Sequence, residues 1–463
     1  RARPSRRGLL RAGAVSGGAA VAMAVGGAAG ARALAADVAS GGAASAAGYR
    51  PLTLFAQPDM NFEVLFTLGA AGYGASEVGE VVTAVSEVNA RGASFQSLFD
   101  VFRRLAERLS KQADEMLAAG HKVSARGAYL RAASYYDVCL FFVLGTRAHA
   151  HEASVYARMQ HNWDRAAGLF DPPFEPVRIP YAGTWLPGYF LRPPGERFAR
   201  PTVILNNGSD AQNVDLYVYG GAAALERGYN ALIFEGPGQG SMLFERQIPY
   251  RTDWQHVVSP IVDWLSARHD VDSQRIAITG WSMCGESVVQ AAAFDHRLAA
   301  VVADPGVLDV WKAWPASVRK LMASGASKAE VNHIWRTDVI PHLNATDRFI
   351  LAKRSELFGR RYLLTARAGR MYTDLYDLAE ILMRVNCEPT APKVASPTLV
   401  TEYQDDAFFG SHQQAGPVFR LLPDGIRKQL HSFTVAHGAE FHDAPMAPQT
   451  RNQVVFDWLD DVL

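Results

Sequence analysis

Cysteine is scarce in this 463-residue chain, with Cys139, Cys284 and Cys387 standing far apart. Three scattered thiols supply neither the paired framework of a small disulfide-stapled protein nor the close spacing of a zinc site. Charge of one sign is lacking too. Lys+Arg and Asp+Glu number 46 each, so no excess of charge favours nucleic acid or an anionic membrane as partner. Beyond the first 36 residues no apolar run reaches the length that crosses a bilayer. There is no His-Glu-x-x-His sequence, and no glycine-rich loop carries the Lys-Ser/Thr pair of a nucleotide-phosphate site. What is present is 49% apolar residues, enough for a large core in one main domain with additions or in two.

The first 36 residues are of a different composition. Ser5-Arg6-Arg7-Gly8-Leu9-Leu10-Arg11 puts an arginine pair ahead of an Ala/Gly/Val-rich stretch, and Ala33-Leu34-Ala35 offers a small-x-small cleavage site. That order resembles a bacterial twin-arginine export signal, an address read by the export machinery rather than an anchor. It leads to the expectation of a periplasmic or extracellular protein. The sequence opens on Arg1 rather than Met, so the natural N-terminus is expected upstream. Residues 37–57, rich in Ala, Gly and Ser at their start, read as a flexible linker.

Residues 61–169 carry helical periodicity without a convincing strand. In Phe95–Leu109, positions 98, 99, 102, 105, 106 and 109 form one apolar face. Asp171-Pro-Pro173 marks a boundary, after which the period changes. Glu175–Pro180 and Thr184–Leu191 read as a hairpin about Ala182-Gly183. Short apolar runs then alternate with helical patterns: Thr202–Asn206, Ala231–Phe234, Arg275–Thr279, Ala299–Ala303, Thr398–Thr401 and Ser432–Val435. Helices are expected at Val214–Arg227, Trp254–Arg268, Met283–Phe294 and Gln449–Val462. The alternation predicts an α/β fold with a mostly parallel sheet. The stretch 306–390 is too long for a simple crossover and is expected to be a helical insertion.

Function in such sheets collects at the carboxyl ends of the strands. Arg275–Gly280 enters Trp281-Ser282-Met283-Cys284-Gly285 and a small-residue helical run. This is the layout of a nucleophile elbow, with Cys284 where the usual Gly-x-Ser-x-Gly pattern has its second glycine. A serine hydroxyl needs a base to take its proton, and the base needs an acid to orient it. His442 is preferred as base, with His437 as competitor. Asp406 is preferred as acid, ahead of Asp405 and then Asp304. The order Ser282, Asp406, His442 is that of α/β-hydrolases. An oxyanion would need preorganised N–H donors. The backbone of Met283 and that of Ser209, in the loop Asn207-Gly208-Ser209-Asp210, are the candidates. His431, His437, Glu440 and His442 lack any supporting metal motif.

Asn206–Asp210, Phe234-Glu-Gly-Pro-Gly-Gln-Gly240, Gly280-Trp-Ser-Met-Cys-Gly285 and Val455–Leu463 resemble the α/β-hydrolases related to 2,6-dihydroxypseudooxynicotine hydrolase, and also fungal polyketide-shortening hydrolases. Val123–Arg126 and Arg131–Tyr136 resemble that group's N-terminal cap. The resemblance implies a helical cap at 58–170, a hydrolase domain at 171–463 with its insertion at 306–390, a Ser282-Asp406-His442 triad and no cofactor. It implies a small-molecule substrate, hydrolysed at an ester or at a carbon–carbon bond beside a ketone. A peptidase or amidase of the same fold, or a binding protein that kept the fold, is the alternative. A homodimer is an allowed assembly.

Overall fold

One eight-stranded sheet organises the chain between Glu175 and Phe433. The computed structural model describes residues 52–195, 198–410 and 412–463. The export-type segment 1–36 and most of the 37–57 linker lie outside the described residues. Strands β1 (Glu175–Tyr181) and β2 (Thr184–Leu191) pair antiparallel. Ala182 and Gly183 both take positive φ, 43° and 78°, as a two-residue hairpin turn demands. Then follow β3 (Arg200–Asn206), β4 (Asn230–Phe234), β5 (Val271–Trp281), β6 (Ala300–Asp304), β7 (Thr398–Tyr403) and β8 (Lys428–Phe433). The order is β1-β2-β4-β3-β5-β6-β7-β8; β3 to β8 run parallel to one another, and β2 pairs antiparallel with both β1 and β4.

The strand sequences follow from this placement. β4 and β6 are buried at every residue, as the continuous apolar runs of a doubly covered parallel sheet must be. β1 alternates instead, with Val177, Ile179 and Tyr181 inward. Two expectations need correcting. The last strand is Lys428–Phe433, upstream of the expected Ser432–Val435. It is a half-exposed sheet edge, so it carries no apolar run to announce it. The helix expected over Val214–Arg227 is broken into Asn213–Leu216 and Ala222–Glu226. Gly220 leaves helical geometry between them, and a Cβ there would stand 2.6 Å from Leu205.

The N-terminal helices are α1 (Pro58–Gly69), α2 (Val78–Ala90), α3 (Phe95–Ala118), α4 (Lys122–Phe142) and α5 (Glu152–Ala167). The apolar face of α3 (Leu98, Phe99, Phe102, Leu105, Ala106 and Leu109) is buried throughout. Each such Leu or Phe contributes about 2 kcal/mol on leaving water. α3 starts on a capping box between Ser94 and Ser97. Helices α6 (Gln255–Ser266) and α7 (Cys284–Ala292) pack with the sheet, and α8 (Ala345–Ser355) belongs to the helical insertion. The closing helix is α9 (Pro448–Val462). The helical layer and the insertion are tied by a buried ion pair, Glu152 of α5 with Arg367 at 2.7 Å, beside which Lys353 of α8 pairs within the insertion with Glu356 at 2.8 Å. α1 meets the segment before α9 so closely that a Cβ on Gly69 would lie 1.9 Å from the Pro445 carbonyl oxygen.

Candidate active site

Parallel pairing brings the ends of β3, β5 and β6 level, with Asn206 opposite Gly280 and Trp281 opposite Asp304. Ser282 leaves β5 at this row with φ +54°, a left-handed backbone that a non-glycine residue holds at a cost of roughly 1 kcal/mol or more. Its N–H donates to the Asp304 carbonyl at 2.8 Å, and its own carbonyl accepts from Gly285 N–H at 3.0 Å as α7 begins. The tight contacts of the elbow fall at Gly280 and Gly285. A Cβ at Gly285 would sit 1.9 Å from the Pro305 carbonyl oxygen, and one at Gly280 would sit 2.2 Å from that of Cys284. The position needing no side chain is therefore 285. Cys284 fits in the interior instead, its sulfur 3.8 Å from the Gln239 amide. Burial first, with Glu286 beside it, pushes its thiol up to about 12, which makes it an unreactive packing group.

The structure brings Ser282, His442 and Asp406 together. Ser282 Oγ lies 2.8 Å from His442 Nε2, and His442 Nδ1 lies 2.9 Å from Asp406 Oδ2. Asp406 also accepts from the N–H groups of Phe408 and Phe409, at 2.8 and 3.0 Å. Burial works against its charge, but His442 and these donors hold the carboxyl below its ordinary range. The imidazole is walled by Phe62 of α1, Phe408, Phe409 and Tyr403. Burial disfavours its charged form, yet Asp406 and then Asp443 outweigh that and raise it to about 9. Asp443 Oδ2 is 3.2 Å from His442 Nε2.

The other candidates are placed elsewhere. His437 turns to Thr434 and stands beside His431 and Phe433. Asp304 is occupied by Arg451, Thr401 and Tyr403. Asp405 N–H bonds the Glu440 carbonyl, and its Oδ2 is buried without a partner among the described residues. Asp443 and Arg354 are contacts the sequence analysis missed. Arg354 reaches from α8 to Asp210 and stacks over the Phe408 ring at 4.9 Å. Only the His442-Asp443 dipeptide itself could have signalled the second carboxylate.

The loop after β3 closes over Ser282. A Cβ on Gly208 would meet Ser282 Cβ at 2.7 Å and the Trp281 carbonyl at 2.8 Å. Gln239, from the glycine-rich loop after β4, donates to the carbonyls of Asn207 and Gly208 at 2.8 and 2.9 Å. Because C=O and N–H of one peptide point oppositely, this turns the Ser209 N–H away from Gln239. Among the described residues the N–H groups of Ser209 and Met283 have no acceptor. The Ser209 hydroxyl bonds Asp210 at 2.8 Å, linking the loop to Arg354. Glu63 of α1 faces Arg354 and Asp210, and burial raises its carboxyl to about 8. A separate cavity of about 620 Å³ lies between α5 and the β1–β2 hairpin and includes none of these Ser282 contacts.

A parallel sheet with one antiparallel hairpin edge, an elbow after β5 and a histidine loop after β8 define an α/β-hydrolase. No family model matches the chain. It is 32% identical to hydrolase acrC of Aspergillus aculeatus over 87% of this chain and 96% of the relative. It is 30% identical to hydrolase LUC6 of a Fusarium species, over 88% and 97%. It is 28% identical to 20-hydroxy-prefusarin hydrolase of Gibberella moniliformis, over 80% of this chain and 87% of the relative. Among solved structures it resembles 2,6-dihydroxy-pseudo-oxynicotine hydrolase, with a TM-score of 0.61 at 21% identity over 85% of this chain and 95% of the other. The chain belongs to the α/β-hydrolase family of these fungal proteins, and it is a hydrolase. The fungal sources overturn the expectation of a bacterial protein exported by the twin-arginine machinery.

Proposed function

We propose that this enzyme is a serine hydrolase acting on a small or medium organic ester or ketone. Ser282 is the nucleophile, His442 the base and Asp406 the acid that orients it. The observation that carries this reading is the unbroken relay at 2.8 and 2.9 Å from a serine held in strained left-handed backbone. In this mechanism Ser282 Oγ attacks the substrate carbonyl as its proton passes to His442 Nε2, and Asp406 stabilises the imidazolium. The negative oxygen is met by the N–H groups of Met283 and Ser209, fixed in advance by the elbow and by Gln239. His442 then returns the proton to the leaving group, an alkoxide oxygen in an ester or an enolate carbon beside a ketone. Water repeats the cycle on the acyl-serine. The chemistry calls for no cofactor.

The wall about His442 supports an organic rather than a peptide substrate. Phe62, Phe408 and Phe409 give aromatic surface, and Glu63, Asp210 and Arg354 give a few polar groups, the usual composition of a small-molecule site. A relative's name, 20-hydroxy-prefusarin hydrolase, points the same way. The test is product analysis by mass spectrometry over aryl esters, thioesters, amides and β-diketones. Cleavage of esters or β-diketones, lost in Ser282→Ala, is expected. Turnover of amides alone would contradict the substrate class.

A further inference from the structure

His442 is flanked by two carboxylates, and the triad uses one. Asp406 stands at Nδ1, whereas Asp443 Oδ2 stands 3.2 Å from Nε2, the nitrogen that must take the serine proton. Asp443 is 3% exposed, and its Oδ1 has no hydrogen-bond partner among the described residues. A carboxylate buried for structure alone is expected to have its oxygens satisfied. Its backbone is also unusual: Asp443 and Ala444 both adopt left-handed φ, +61° and +52°. Strain of this kind in a non-glycine residue beside reacting groups points to a function.

We propose that Asp443 is a positioning residue whose carboxylate, opposite Asp406, keeps a proton on His442 and sets the pH above which His442 serves Ser282. The inference rests on the serine-hydrolase reading of the site. Ser282 Oγ remains the nearer neighbour of Nε2, at 2.8 Å. Asp443 therefore acts through its field rather than by displacing the hydroxyl. The surrounding charges agree. From the β6 end Asp304 faces Asp443 but is neutralised by Arg451 of α9, at 2.5 Å. Tyr403 of β7 and Tyr219 face it as neutral phenols. Arg354 of α8 opposes protonation of His442, and it is itself engaged by Asp210. Burial raises the Asp443 carboxyl strongly while His442 pulls it back. His442 and Asp443 so share one proton, and while it sits on the imidazole Asp443 is the carboxylate that holds it there. The same field that delays the base stabilises the imidazolium of the transition state, so Asp443 makes the enzyme slow at neutral pH and fast in alkali.

The experiment is the rate of labelling by a fluorophosphonate probe as a function of pH, with the modified peptide identified by mass spectrometry. In wild type the rate should rise with pH to a plateau, with its midpoint near the value of about 9 held by His442. Asp443→Asn keeps the shape and suits left-handed backbone. Its midpoint should fall by about one pH unit or more, giving about a tenfold larger share of its own plateau rate at pH 7. An unmoved midpoint in a folded variant overturns the inference. Should Asp443→Asn fail to fold, Asp443→Gly, equally at home in left-handed backbone, takes its place, and nitrogen NMR of His442 is compared between it and wild type. A His442 titration that falls by about one pH unit or more on loss of the carboxylate supports the proposal, and one that does not move overturns it. Absence of any label on Ser282 in wild type would instead sink the triad reading, and the same NMR titration would still judge Asp443.

Discussion

Gly285 rather than Cys284 bears the close contact of the elbow, and this separates two neighbouring substitutions sharply. Cys284→Gly removes a small buried side chain and should cost about 1–2 kcal/mol while the site geometry survives. Gly285→Ala puts a methyl 1.9 Å from the Pro305 carbonyl oxygen. The helix must move off β6, so a large loss of activity is expected, beyond about a hundredfold, from a misplaced nucleophile. Fluorophosphonate labelling beside a thermal melt checks both; equal damage from the two would contradict this reading of the turn. The sequence pattern alone pointed to Cys284 as the anomaly. Which of two adjacent positions faces the Pro305 carbonyl depends on the φ of Ser282, and no residue spacing encodes that. The meeting of Ser282, Asp406 and His442 was legible because each follows a strand end. Asp443 was not, since its carboxylate reaches Nε2 only through left-handed backbone at 443 and 444.

At the scale of elements, the buried charges between α5 and the insertion fix how the helical layer sits. Glu152, Arg367, Lys353 and Glu356 make two pairs with every side chain but that of Arg367 almost wholly buried. Removing one partner leaves a buried charge uncompensated, which costs about 3–5 kcal/mol. Lys353→Met should lower stability by that order in denaturant unfolding. A loss below about 1 kcal/mol would show that the pair is dispensable. Strand signals were readable wherever both sheet faces are covered, as in β3 to β7. They failed at β8, where Lys428, Gln429, His431 and Ser432 reflect a half-exposed edge. The helix pattern over Val214–Arg227 overlooked Gly220-Gly221, which the chain uses to pass close to Leu205.

Over the whole molecule, buried acids set how stability follows pH. Glu286 in α7 is 1% exposed, and its Oε1 has no partner among the described residues. Burial raises its carboxyl to about 8, with Ser287 lowering and Asp309 raising it further. A group raised on folding keeps its proton in the native state after the unfolded chain has lost it, so stability falls as pH rises between the two values. For Glu286 that window runs from 4.5 to about 8, and for His442 from 6.5 to about 9. The melting temperature should decline from pH 5 to pH 9, and Glu286→Gln should flatten the lower part of that decline. A wild-type melting temperature rising across this range would contradict the burial argument. The cost of holding these groups fits a site walled by Phe62 of α1 and Arg354 of the insertion.

The central claim is that Ser282 attacks the substrate carbonyl. Its most direct test is the mass shift left by a fluorophosphonate probe on wild type and on Ser282→Ala at alkaline pH, with peptide mapping of the adduct. The account predicts one adduct on the peptide containing Ser282, none in Ser282→Ala, and loss of ester or β-diketone turnover with it. Equal labelling of the two proteins, or turnover that survives in Ser282→Ala, would contradict it.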